Sequence, residues 1–116
     1  MPSISLQRPE RHTVLRSFAG HLGGDPDAAF RGLVEQLGDR TPAESLLVDE
    51  AARTAIVQGE WWYRGEYTVR EDDEGVLVEY EIVNVAPTLH WAGPIAGRSA
   101  IRDAPRTFQA LLTAIA

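Results

Sequence analysis

The strongest constraint on this chain is a run that alternates apolar and polar residues on both sides of one acidic turn. It starts at Trp61-Trp62-Tyr63-Arg64-Gly65-Glu66-Tyr67, turns at Asp72-Asp73-Glu74-Gly75 and ends near Ala86. Five of the nine aromatic residues fall between positions 61 and 80. Alternation with period two predicts a β-hairpin over about 61 to 86. A four-residue loop pairs Glu71 with Val76, Val69 with Val78 and Tyr67 with Tyr80, and a two-residue loop keeps the same faces. A three-residue loop mixes apolar and charged residues on both faces and is rejected. One face then carries Trp61, Tyr63, Tyr67, Val69, Val78, Tyr80, Ile82, Asn84 and Ala86. The other carries Trp62, Arg64, Glu66, Thr68, Arg70, Glu79 and Glu81.

A wall of Trp and Tyr is either core or the lining of a ligand cavity, because both rings join apolar area to a polar tip. Gly65 either leaves space beside Tyr63 and Tyr67 or relieves strand curvature. Asn84, on the inner face, is either a hydrogen-bonded core amide or a polar anchor for a ligand, since a buried amide without partners costs about 1–3 kcal/mol. Arg64 with Glu79 and Glu81 reads as a solvated cross-strand charge set worth about 0–1 kcal/mol. Trp62 points outward, as an oligomer contact or a covered surface ring.

Elsewhere the pattern is simpler. Residues 1–10 hold Pro2 and Pro9 and are expected to be loosely ordered. Residues 11–22 alternate like a strand. Asp25 then suits a helix N-cap and Pro26 the first helical position. Phe30, Leu33, Val34 and Leu37 form one apolar stripe, so a helix is predicted over about 26 to 37, ended by Gly38. Short strands follow at Leu46–Val48 and Thr54–Gln58, with a turn at Asp49-Glu50-Ala51-Ala52. Pro87, His90, Trp91, Gly93 and Pro94 read as loop. Ile101, Ala104, Phe108, Leu111, Leu112 and Ile115 keep one phase through Pro105, which predicts a single kinked helix from near Gly97.

A chain of 116 residues suits one domain. Its net charge of −6 disfavours nucleic-acid binding. No apolar run approaches the roughly 20 residues of a membrane span. Met1 to Arg16 lacks the apolar core of a secretory signal, so a cytoplasmic location is the default expectation. The chain has no Cys, hence neither disulfides nor thiolate metal sites. All eleven basic residues are Arg, which removes lysine Schiff-base and P-loop chemistry. His12, His21 and His90 have no partner at metal-ligand spacing, so no metal and no cofactor is expected.

The order strand, helix, antiparallel meander, C-terminal helix resembles the polyketide cyclase/START-like (SRPBCC, helix-grip) superfamily, in particular its small actinobacterial members. The residues that carry the likeness are Gly24-Asp25-Pro26-Asp27-Ala28-Ala29-Phe30, Gln58-Gly59-Glu60-Trp61-Trp62-Tyr63-Arg64-Gly65-Glu66-Tyr67 and Val83-Asn84-Val85-Ala86, with the closing amphipathic helix. It covers about residues 11–116. The resemblance implies an α+β fold, a curved antiparallel sheet packed on a long C-terminal helix, with one shorter helix after the first strand. It also implies an apolar cavity between sheet and helix that takes a lipid- or polyketide-like ligand. The chain departs from the pattern in having about five strands, where six or seven are usual. That leaves an edge for a second copy to cover, so a homodimer is one expectation.

The ligand-binding candidates are Trp61, Tyr63, Tyr67, Tyr80, Asn84, His90, Trp91, Arg102 and Phe108. No catalytic constellation is visible, so binding is favoured over a cyclase or dehydratase activity. A filled-core interaction module, using the sheet edge and Trp62, is the third reading.

Overall fold

Alternation over two long strands dictates the centre of the molecule. The computed structural model describes residues 4–59 and 61–116. Residues 1–3 and Glu60 lie outside these, and with them part of the segment expected to be loose and one residue of the likeness. β1 (Thr13–Leu22) leads to α1 (Pro26–Arg40), then β2 (Leu46–Asp49), β3 (Thr54–Val57), β4 (Tyr63–Asp72) and β5 (Gly75–Asn84). A short α2 (Gly93–Ala96) precedes α3 (Arg98–Ile115). The fold is α+β: one open antiparallel sheet in the order β1-β5-β4-β3-β2, with α1 and α3 contributing to its apolar core. No helix among the described residues is long and apolar enough to cross a membrane.

The hairpin register is the expected one: Tyr67 faces Tyr80, Val69 faces Val78 and Glu71 faces Val76. The strands extend to an Asp72–Gly75 pair, so the loop is two residues long. Gly75 takes φ +122°, a backbone region open to glycine, and the Asp72 carboxylate accepts the Glu74 N–H. Asp25 caps α1 by accepting from the Ala28 N–H at 3.0 Å. Gly38 does not end α1, which runs on to Arg40. A single glycine costs a helix only about 1 kcal/mol, too little to stop one whose stripe is buried. α3 passes through Pro105 without a break. Residues 90–96, expected to be loop, form a 3₁₀ turn and α2.

The apolar stripes meet over the inner face of the sheet. Phe30, Leu33 and Leu37 of α1 join Ala104, Phe108, Leu111 and Leu112 of α3 around Val76, Val78, Tyr80 and Ile82. Phe108 packs on Phe18 and Tyr80 at centroid distances of 5.9 and 5.7 Å. Burying such a side chain contributes about 1.5–3 kcal/mol.

The outer face overturns one expectation. Arg64 is 0% exposed, not solvated. Its guanidinium donates to Glu66 (2.7 Å), Gln58 (2.8 Å) and the Leu6 carbonyl (3.0 Å). Register places Glu66 directly opposite Glu81, a repulsive pair. Arg8 resolves it by bonding both carboxylates, at 2.7 and 2.9 Å. Burial pushes the Glu66 carboxyl up, but hydrogen bonds from Arg8 and Arg64, and their charges, outweigh that and hold it below its ordinary 4.5.

Two outcomes follow for this face. Arg64→Ala should lower the unfolding free energy by about 3 kcal/mol in urea titrations, the lower end for a broken buried pair because Arg8 still holds Glu66. A carboxyl with a depressed folded-state pKa stabilises fully above its unfolded value and loses that contribution as pH falls through the folded one. Melting curves of Glu66→Gln should therefore show a shallower loss of stability below pH 4.5 than the parent protein.

Candidate functional site

The packing leaves a gap where α1 ends and α3 begins. There the inner face of the sheet borders a partly open cleft of about 590 Å³. Its floor is Val57, Tyr63, Tyr67, Tyr80 and Ile82. Leu37, Arg40 and Thr41 form one side; Ala96, Gly97, Ala100, Asp103 and Thr107 are among the residues forming the other. This size suits a drug-sized small molecule.

Three phenols meet in the floor. Tyr67 and Tyr80, cross-strand partners, stack with centroids 4.4 Å apart and planes 7° from parallel. Tyr63 lies on the same face beyond Gly65, its ring folded over that glycine, where any Cβ would collide with the Tyr63 hydroxyl. The missing side chain at Gly65 is therefore what lets Tyr63 lie along the sheet. The hydroxyls of Tyr63 and Tyr80 are 2.6 Å apart and share a hydrogen bond. The Tyr67 hydroxyl influences both neighbours but closes no bond of good geometry with either. Burial raises the pKa of all three phenols, and repulsion between neighbouring phenolates adds to it for Tyr63 and Tyr67. The positive charge of Arg40 opposes the rise at Tyr67 and Tyr80. Across the neutral range these groups are protonated donors.

Of the candidate residues, the structure brings Tyr63, Tyr67 and Tyr80 together in the cleft. Phe108 is buried behind them, stacked on Tyr80. Asn84 and His90 form a separate brace at the end of β5. The Asn84 amide donates to the His90 carbonyl at 2.7 Å and accepts from the Ala86 N–H at 3.1 Å. His90 Nδ1 lies 2.9 Å from the Ala86 carbonyl, which can only accept, so Nδ1 carries the proton. In a neutral ring Nε2 then accepts from the Thr13 hydroxyl at 2.9 Å. Both residues thus have protein partners. Trp91 is 70% exposed and Arg102 points to solvent beside Asp103, so neither reaches the cleft.

The two tryptophans exchange roles relative to expectation. Trp61 is 40% exposed and Trp62 is 5% exposed. β4 begins only at Tyr63, so the alternation does not extend back to either residue. The Trp62 carbonyl accepts from the Val85 N–H at 2.8 Å, and its ring packs on the bare Cα of Gly97 at the start of α3. Trp62 stands edge-on to Tyr63 and lines the cleft. Arg40 was missed because α1 was expected to end at Gly38. A helix continued through that glycine would have carried Arg40 beyond it.

Comparison with known proteins finds no match to any family model, curated protein or solved structure.

The chain has only three tyrosines, and all of them sit in this cleft. Phenolate absorbance in an alkaline titration therefore reports on the cleft alone. It should stay flat through pH 10.0, the ordinary phenol value, and rise only beyond it. Because the folded-state pKa values are raised, the stability linked to them is complete below that pH and is lost as pH climbs through the raised values. Normal titration of all three would show that the phenols are solvated.

Proposed function

We propose that this protein is a small helix-grip domain of the polyketide cyclase/START-like type that binds a small apolar or aromatic molecule between its sheet and C-terminal helix. The observation that supports this reading best is the cleft beside α3: about 590 Å³, floored by three phenols and two aliphatic side chains. The order strand, helix, meander, long C-terminal helix supports the family reading. A ligand would lay an apolar face on the rings and direct polar atoms to the hydroxyls, burying area at about 25 cal/mol per Å².

A second reading, self-association, draws on a different observation. Leu89, Trp91 and Ile95 are exposed within seven residues of one another. Leu89 is also held at φ +49°, a strained backbone for a non-glycine residue. Sedimentation that yields a concentration-independent monomer would remove this reading.

Binding is read through Trp62, the one tryptophan in the cleft. In a Trp61→Phe/Trp91→Phe background, fluorescence titrated with fatty acids, flavonoids and sterols should shift or quench with at least one class. Ala100→Phe, which adds a ring to an exposed position on the cleft wall, should weaken that binding about tenfold or more while leaving the melting midpoint in place. A Trp62 signal indifferent to every class would reject the binding function.

A further inference from the structure

The polar groups of the cleft are not distributed evenly: donors gather at one end and a carboxylate stands on the opposite wall. The shared Tyr63–Tyr80 bond uses one phenolic hydrogen, whichever oxygen donates. The Tyr67 hydroxyl lies beside both of these oxygens without closing a second bond of good geometry, so the three phenols do not use up their donors on one another. Arg40 lines the same cleft from the last turn of α1, and among the described residues its guanidinium has neither an ion-pair nor a hydrogen-bond partner. Hydroxyl donors and an unpaired guanidinium together make a donor-rich pole. The opposite wall, on α3, carries Asp103, whose carboxylate lies 3.7 Å from Arg102.

We infer that the ligand of this cleft carries a carboxylate, received by the Arg40 guanidinium and by the phenolic hydrogens that the Tyr63–Tyr80 bond leaves over, on an aromatic or short aliphatic body. This rests on the binding function proposed above and names the ligand class for it. A carboxylate accepts only, so it matches a guanidinium, which donates only, and phenols whose O–H is free to turn toward it. Charge-assisted bonds to guanidinium and phenol are roughly twice as strong as neutral ones. A phenol with a raised pKa cannot lose its proton to become a competing anion, which keeps the pole receptive across the neutral range. Asp103 sets the orientation: it repels a carboxylate, so the acid end lies toward Arg40 and the neutral body toward α3. The stacked rings of Tyr67 and Tyr80 and the side chains of Val57 and Ile82 supply the apolar surface for that body.

Calorimetric titration with matched pairs tests this: benzoate, cinnamate, 2-naphthoate and decanoate, each against its primary amide. The amide keeps the shape and removes the charge. For at least one pair the acid should bind about tenfold more tightly than the amide. Arg40→Gln should erase that preference by weakening the acid and leaving the amide unchanged. Tyr63→Phe, which keeps the ring, should reduce it in part, with circular dichroism confirming the fold of both variants. Amides that bind as well as their acids would overturn the carboxylate inference and leave the binding function standing. A preference that survives Arg40→Gln would also overturn it. If no member of either series binds, the inference falls together with the function it rests on.

Discussion

The pairing of Tyr67 with Tyr80 across the two central strands fixes what each face of the sheet must then accommodate. A strand can shift by one residue only by sending every side chain to the other face. With this register, two phenols stack under α3 and Glu66 is brought against Glu81 on the reverse side. The first consequence favours the fold, because aromatic pairs add about 0.5–1.5 kcal/mol to their burial. The second opposes it, because like charges directly opposite repel. Arg8 and Arg64 turn that repulsion into an ion-pair network, and in doing so tie the chain around Leu6 and Arg8 to the back of β4.

The two faces are therefore coupled through β4. Arg64 and Glu66 are gripped from outside, while Tyr63, Gly65 and Tyr67 alternate with them on the inside. A strand held at neighbouring positions on one face has little freedom to tilt the side chains on the other. The phenolic hydroxyls are thus placed before any ligand arrives, which lowers the ordering cost of binding. Gly65 belongs to the same arrangement, since only a residue without a Cβ lets the Tyr63 ring cross it to reach Tyr80.

How far the residues alone could reveal this depends on whether the deciding contacts were local. The hairpin register followed from alternation around a turn with its glycine at position 75, and the entry to α1 from Asp25 and Pro26. Both depend on neighbours in sequence, as does the stripe that runs through Pro105. The inward set of Tyr63, Tyr67 and Tyr80 followed from the same period. What escaped was set by distant partners or by strand ends. Arg64 looked solvated because its cover, the backbone at Leu6, lies 58 residues away. Period two puts Trp61 and Trp62 on opposite faces, but it holds only within a strand, and β4 starts after both of them, at Tyr63. Asn84 and His90 are visible as polar groups at the end of the inner face, yet that they satisfy each other's segment depends on how the chain after β5 folds back.

The position of the cleft follows from the same economy of elements. Where α1 and α3 both cover the sheet, Phe30, Leu33, Phe108 and Leu112 close the core. Toward the C-terminal end of α1 and the N-terminal end of α3 the covering side chains shrink to Ala96, Gly97, Ala100 and Ala104. Large rings on the sheet then face small residues on the helix, and the difference in volume is the cleft. Small residues alone would leave room to collapse, since interiors pack to near-crystalline density. Trp62 wedged on Gly97 keeps the start of α3 off the sheet, and the kept gap is lined by phenols whose hydrogen-bonding capacity the protein itself leaves partly unused. A core selected only for stability would have filled that space with another apolar side chain and ended the row of hydroxyls at the Tyr63–Tyr80 bond.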